Sequence, residues 1–380
     1  MAKTDWPIKT LGDVCEVIAG QSPEGKFYNK EGKGVPFYQG KKDFAERVLG
    51  SPTTWTTEVT KLSRPGDILM SVRAPVGPVN LCPIEACIGR GLAAIRPSSK
   101  TDTDFIFYYL ESIQSEIAGT EGAVFASINK AQIADLRCPV PPLVEQKRIV
   151  ALLDAATARV TELTACYEQA RTHANNLFTS ALRETLASNP DWPVKTLGEV
   201  AVVNPSEPAL SEDAPFVPMD AVTSGKRDVQ YTQPRCQRSG ARARAGDILF
   251  ARITPCLQNG KVALVQDEIT RCGGSTEFIV VRAGPDVLNG YLYQWITSDH
   301  VRDEVTALMK GATGRQRLNA EDLALAELPV PPLVDQKMIV ARLDSMRAKT
   351  SEMVAAYDAK LTAAKNLRQS ILEAAFAGDL

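Results

Sequence analysis

The sequence predicts an α+β protein built from two similar halves, each a sheet-rich domain followed by one long helix. Three observations lead there. Long motifs recur once and in the same order, short β-branched runs bounded by Gly and Pro fill the first part of each half, and Gly and Pro then vanish over a stretch with coiled-coil spacing.

The repeat is plain in four places. "DWPIKTLGDV" at 5–14 returns as "DWPVKTLGEV" at 191–200, "RPGDILMSVR" at 64–73 returns as "RAGDILFARI" at 244–253, and Asn129 returns as Asn319. "PVPPLVEQKRIVALLD" at 139–154 returns as "PVPPLVDQKMIVARLD" at 329–344, changed only at Glu145/Asp335, Arg148/Met338 and Leu152/Arg342. The middles of the halves diverge, which is where a variable specificity would be encoded.

The elements follow in order. "VPFYQG", "GDILMSVRAPVG" and "LAAIRP" in the first half, and "GDILFARI", "KVALVQ" and "EFIVVRA" in the second, read as strands of a twisted or barrel-like sheet. "FIFYYLESI" (105–113) and "GYLYQWITS" (290–298) read as one short helix per half. The Pro-rich signature then delivers an extended segment to a helix start, where Pro is tolerated and Glu145 or Asp335 favours the helix dipole.

Beyond it, Ile149, Leu153, Ala156, Val160, Leu163, Tyr167, Ala170, Ala174, Leu177 and Ala181 keep 4-3 spacing. Ile339, Leu343, Met346, Thr350, Met353, Tyr357, Lys360, Ala364, Leu367 and Ile371 repeat the phase, imperfectly at Thr350 and Lys360. That spacing is a coiled-coil seam, and each helix would be roughly 60–65 Å long. The expected segments are a domain at 1–142, a helix at 143–188, a domain at 189–332 and a helix at 333–380.

Composition limits the function classes. Net charge is −2, which argues against nonspecific coating of nucleic acid but leaves room for a local basic groove. No run is long and apolar enough to span a membrane, the N-terminus lacks a signal-peptide stretch, and eight scattered cysteines form no C-x-x-C pair. The expectation is a cytoplasmic protein with reduced thiols and no membrane association.

Catalytic signals fail on context. "EQK" (145–147) and "DQK" (335–337) match the acid-x-Lys element of nucleases, but each opens a helix instead of lying on a buried strand. "NPSE" (204–207) lacks the second Pro and the aromatic of the adenine-methyltransferase tetrapeptide. "EGKG" and "NGKV" lack a phosphate-loop frame. His173 and His300 belong to no triad or metal set. The chain is expected to catalyse nothing.

Taken together, "W-P-x-K-T-L-G-[DE]-V", "G-D-I-L" and the twice-used "P-V-P-P-L-x-x-Q-K-x-I-V-x-x-L-D" resemble the specificity subunit of type I restriction–modification systems, over the whole chain to its end "ILEAAFAGDL". The first half also resembles a widespread version of that family's recognition domain, through "GQSPEGKFYN", "VPFYQGKKDF", "SVRAPVG" and "CIGRGLAAIRP"; the second, with "NPSE" and "VPMDAV", is a different version. The resemblance implies two target-recognition domains that each read half of a split double-stranded DNA target. It implies two long helices paired antiparallel as a spacer, two methyltransferase subunits recruited, and a motor and nuclease subunit joining them. It also implies no cofactor in this chain, with S-adenosylmethionine, ATP and Mg²⁺ used by the partner subunits. Half-sites in successive major grooves would be centred about 10 bp apart. Two readings from other classes stay open: a coiled-coil adaptor that does not touch DNA, and a stand-alone nuclease.

Base readout uses Arg on guanine and Asn or Gln on adenine, with Lys and Arg on phosphates. In the first half the candidates are Gln21, Tyr38, Gln39, Lys41 and Lys42 in Gly-rich loops, Arg73 and Arg90 in the family-like segments, and Ser127 and Asn129 before the helix-entry signature. In the second half they are Asn204, Arg252, Ser275, Thr276, Arg315, Gln316 and Arg317. The basic run "RCQRSGARAR" (235–244) would track phosphates or form an exposed edge. Each of these cations also has a bland alternative: simple solvation, or a loop-holding bond to buried carbonyls.

Overall fold

In the computed structural model, residues 6–118, 127–187, 189–234, 239–312 and 314–380 are described. The chain divides into two compact units, one built from Met1–Glu168 with Ala359–Leu380 and one from Gln169–Asp358. Each unit therefore holds one sheet-rich domain, the first part of the helix that follows it, and a portion of the other long helix.

The two domains share a plan, and the α+β class read from sequence holds. A four-stranded antiparallel sheet has the order Cys15–Ala19, Leu92–Pro97, Ile68–Ser71, Val79–Leu81 in the first, and Ala201–Val203, Phe278–Ala283, Ile248–Ala251, Val262–Leu264 in the second. A second sheet in each contains one parallel pair, Val35–Tyr38 with Ala86–Ile88 and Pro215–Val217 with Arg271–Gly274. The "GDIL" strand explains its own repetition. Side chains alternate faces along a strand, so Ile68 and Met70 enter one core while Leu69 enters another. Ile248 and Phe250 against Leu249 and Ala251 do the same in the second unit. The buried Asp of this motif accepts a two-pronged hydrogen bond from an arginine on the neighbouring strand: Asp67 from Arg96 at 2.8 Å twice, Asp247 from Arg282 at 2.7 Å twice.

The expectation of one short helix per half is corrected: among the described residues the first half has Leu11–Val14, Gln114–Ala118 and Lys130–Ala134 besides Thr103–Ser112, and the second has Leu197–Val200, Asp299–Ala307 and Ala320–Ala324 besides Asn289–Ile296. Asp299–Ala307 starts where Ser298 caps it, its side chain accepting from the Val301 amide.

The long helices are Leu143–Ala187 and Leu333–Ala377, 45 residues each. Within the first unit they run antiparallel, since Arg148 donates to the Leu380 carbonyl while Lys360 lies over the Tyr167 ring. Within the second unit Arg171 pairs with Asp358 and Arg347 stacks on Phe178, again antiparallel. One row of the expected seam is wrong. Leu153, Val160 and Ala174 are buried, as are Leu343, Thr350 and Ala364, but Leu163, Leu177, Met353, Lys360 and Leu367 are exposed. The inner row is completed on its other side, by Thr157, Thr164, Arg171 and Phe178 in one helix and Arg347, Val354, Leu361 and Arg368 in the other. Thr350 is no imperfection there, because its hydroxyl donates to the Met346 carbonyl at 3.0 Å.

The twice-used helix-entry signature is a clamp. Gln146 and Gln336 are fully buried. Gln146 accepts from the Asp102 amide and donates to the Pro141 carbonyl, both at 2.8 Å, tying the long helix to the short helix Thr103–Ser112. Gln336 likewise accepts from the Leu288 amide and donates to the Asp286 and Pro331 carbonyls. The Asp that closes the motif makes a second tie to the domain, Asp154 with Arg47 and Tyr108, Asp344 with Arg227 and Gln294.

Candidate nucleic-acid interface

In the first unit the Gly-rich loops converge. Gln21, Gln39, Arg73 and Arg90 line one open cleft of ≈650 Å³ with Ser22, Tyr28 and the backbone of Gly20 and Gly91. The glycines are needed for that approach. A Cβ on Gly91 would lie 2.4 Å from the Gln39 carbonyl oxygen, and one on Gly20 would lie 2.2 Å from that of Gly89. Ser22 holds the Arg90 loop by accepting from its amide at 3.2 Å. Lys41 and Lys42 stand exposed on the 3-10 turn that follows Gln39, and that turn is fixed by Asp43, which accepts from the Gln39 amide at 3.1 Å.

Charge sorts these residues from the structural ones. The buried or half-buried arginines are spent on carboxylates, Arg47 on Asp104 and Asp154 and Arg96 on Asp67 and Glu16. Arg73, Arg90, Lys41 and Lys42 are exposed and have no salt-bridge partner among the described residues. An unpaired cation on a water-exposed wall is available to a phosphate or a base edge at no cost in lost protein contacts.

One first-half candidate is corrected. Tyr38 is 1 % exposed, sits in the core beside Leu49 and Ile88, and donates to the Gly50 carbonyl at 2.9 Å. Burial pushes its hydroxyl up to about 12, and it cannot reach a ligand. Asn129 is exposed, but its side-chain oxygen is used as a helix cap, accepting from the Gln132 amide at 3.0 Å while Gln132 reaches back to the Asn129 amide. Ser127 is exposed and bridges to the Arg73 backbone, so it lies at the rim of the same loops.

In the second unit Asn204, Arg252 and Thr276 line a cleft of ≈480 Å³, joined by Ser206 and Arg242. Asn204 has φ 51, in the left-handed region that Asn tolerates. Its amide and side-chain oxygen both pair with the Val280 backbone, at 2.7 and 3.0 Å, which leaves its Nδ2 donors facing out. Arg252 has a buried Nε without a hydrogen-bond partner. Ser275 shapes the adjoining turn, its hydroxyl accepting from the Glu277 amide.

The loop at 314–319 divides its arginines between two tasks. Arg315 is exposed with no salt-bridge partner among the described residues, whereas Arg317 binds Glu277 with both prongs, Nη2 at 2.6 Å and Nε at 3.0 Å. That guanidinium holds the Glu277 carboxyl below its ordinary range. Arg317 is therefore a loop anchor in this state, contrary to its expected role. Gln316 is half-buried and fastened through its backbone to Thr254.

Sequence reasoning missed Ser22, Tyr28 and Ser206 as cleft residues, and it named Arg242 only within the basic run. Tyr28 and Ser22 lay inside the quoted "GQSPEGKFYN", so the signal was present. Residues 235–238 of the basic run lie outside the described residues; of the rest, Arg242 donates to the Glu207 carbonyl at 2.8 Å and borders the cleft. Among the described residues no group of three or more His, Cys, Asp or Glu could hold a metal ion, and no helix is long and apolar enough to cross a membrane.

Two homologous domains, each with an open cation- and amide-lined cleft and each clamped to a long helix, define a duplicated recognition module. The chain belongs to the type I restriction modification DNA specificity domain family, whose model matches residues 3–170 and again 189–363. A protein of Methanocaldococcus jannaschii, named as the specificity subunit of its MjaX type I restriction enzyme, is 46 % identical over 155 residues, which cover 40 % of this chain and 36 % of that protein. The chain thus spans about a third of that relative's length in the match. The EcoBI specificity subunit of Escherichia coli is 22 % identical across 99 % of this chain and 86 % of its own. Among solved structures, a chain from a study of assembly and conformational transition in the type I R-M system superposes with a TM-score of 0.79 at 22 % identity, covering 99 % of this chain and 98 % of that one. The HsdS subunit from Thermoanaerobacter tengcongensis gives 0.57 at 22 % identity with the same coverage.

Proposed function

We propose that this chain is the non-catalytic DNA-specificity subunit of a type I restriction–modification enzyme. Each unit reads one half of an asymmetric, bipartite double-stranded target, and the chain recruits methyltransferase and restriction subunits for adenine-N6 methylation or cleavage. One observation carries the reading: in each unit two arginines without a salt-bridge partner among the described residues line one open cleft with Gln or Asn side chains, Arg73 and Arg90 in the first and Arg242 and Arg252 in the second. That is the equipment for base edges and phosphates. The two clefts have different linings, which fits two different half-sites.

Two further features support recruitment of two copies of one methyltransferase subunit. Leu143 and Val144 return as Leu333 and Val334, and the two valines are 83 % and 68 % exposed, so no packing among the described residues explains their repetition. The outward row of the long helices also exposes apolar side chains, Leu163 and Leu367 in the first unit and Leu177 and Met353 in the second, interrupted by Lys360. S-adenosylmethionine, ATP and Mg²⁺ are assigned to the partner subunits and to no residue of this chain. The long helices would set the length of the nonspecific gap.

The test is co-expression with the methyltransferase encoded beside it, followed by mapping of N6-methyladenine across the host genome by single-molecule sequencing. A single split, asymmetric motif is expected. A contiguous motif would break the two-half reading, and no new methylation from a soluble, assembled pair would leave the adaptor reading in its place.

A further inference from the structure

The two units solve one packing problem differently, and the difference opens a groove. In the first unit the end of the second long helix is stapled to the short helix Thr103–Ser112. The Phe376 ring meets Phe105 and Tyr109 edge-on, with centroids 5.2 and 5.4 Å away. Two turns earlier, the Gln369 side chain donates to the Ser112 carbonyl at 2.9 Å. In the second unit, the same offsets that align the repeated motifs put Leu186 in the place of Phe376 and Thr179 in the place of Gln369. Trp192, Trp295 and Ser298 stand for Trp6, Tyr109 and Ser112. Leu186 and Thr179 are both shorter than the side chains they replace. Both line an open groove of ≈600 Å³ whose wall is Leu182, Trp192, Trp295 and Ser298. Groove volumes of this order accept a small ligand or an anchoring side chain.

We infer that this groove binds an aromatic side chain, carried by a partner polypeptide and flanked there by a basic residue. The first unit shows what fits, because the matching wall already seats a phenyl ring edge-on against aromatic partners, the arrangement that aromatic pairs prefer. The rim selects the flanks. Asp303 and Glu327 border the groove and have no salt-bridge partner among the described residues, while Asp299 is tied to Arg302. Arg183 and His300 are the opposing groups on the rim. Carboxylates prevail, so a nucleobase with its phosphates is disfavoured and a cation beside the ring is favoured. None of the candidate DNA residues lines this groove, so it acts separately from the readout clefts.

The test uses the full chain and the tripeptide acetyl-Arg-Phe-Arg-amide, followed by tryptophan fluorescence and calorimetric titration. Saturable binding is expected, about tenfold weaker for acetyl-Glu-Phe-Glu-amide and lost for acetyl-Arg-Ala-Arg-amide. Leu186→Phe supplies the ring from within, and should both abolish peptide binding and raise the melting temperature. Thr179→Gln beside it should raise the melting temperature further. The inference is overturned by the absence of binding, by equal binding of the three peptides, by undiminished binding to Leu186→Phe, or by a lower melting temperature in that variant.

Discussion

Arg315→Ala separates base readout from mere attraction more cleanly than any other single change. Arg315 is exposed and its guanidinium has no salt-bridge partner among the described residues, so its removal should shift folding stability by no more than about 0.5 kcal/mol. Any loss in DNA binding then belongs to the DNA. A guanidinium lying bidentate on a guanine edge discriminates by about 1–3 kcal/mol, which is a five- to 150-fold loss at roughly 1.4 kcal/mol per decade. A phosphate contact would act differently, weakening all sequences alike and lowering the salt slope by about one. The assay is competition binding by the assembled methyltransferase complex to three duplexes: the full target, one with the first half-site scrambled, and one with the second half-site scrambled. The expected result is a loss on the first two duplexes and almost none on the third, where the contact is already gone. A uniform loss on all three refutes base readout by Arg315. The companion Arg317→Ala should instead cost stability, because it strands the Glu277 carboxylate that it now grips from both prongs.

The remaining predictions concern the frame that presents the clefts. Gln336→Ala leaves the Leu288 amide and the Asp286 and Pro331 carbonyls without their partner; we expect a loss of about 1–3 kcal/mol by urea unfolding, with Gln146→Ala matching it in the first unit. Asp247→Ala removes the two-pronged partner of Arg282, which keeps Glu207, and leaves the Arg244 amide without its acceptor; it should cost about 1–3 kcal/mol in the same measurement. Glu277 titrates below its ordinary range because Arg317 grips it. Its contribution is therefore full above the unfolded glutamate value near 4.3 and is lost as pH falls through the lowered folded value. Acid unfolding of the second unit, followed by its tryptophan signal, should show this step in the parent chain and lack it in Glu277→Gln.

Much of this fold is legible because the sequence punctuates it. Gly66 and Gly246 precede the "DIL" strands, Gly and Pro then disappear through Leu143–Ala187 and Leu333–Ala377, and the structure places its strands and long helices accordingly. The inner row of the long helices was not legible. Leu163 and Leu177 look better suited to a seam than Thr157 and Thr164, but small side chains are what let two helices approach, and the leucines were left outside. The helix Asp299–Ala307 is not legible as a separate element although Ser298 carries an N-cap signal, because "GYLYQWITS" already reads as one complete helix.

The candidate site divides along the same physical line. Gln21 and Arg90 neighbour Gly20 and Gly91, glycines that a close backbone approach requires, and such approaches build clefts; Gln39 precedes Gly40 in a Gly-rich loop, and Arg73 stands out only through the family-like "SVRAPVG". Tyr38 lies next to Gln39 in sequence, yet it is the last residue of a strand paired with Ile88 whose end is buried on both faces, Phe37 as much as Tyr38. Arg315 and Arg317 are equivalent in composition and spacing. What distinguishes them is Glu277, forty residues upstream on the turn into a central strand, which no local pattern connects to either. Local pattern locates a loop that can meet DNA; which of its cations remains available there is decided by carboxylates that the fold brings from a distance.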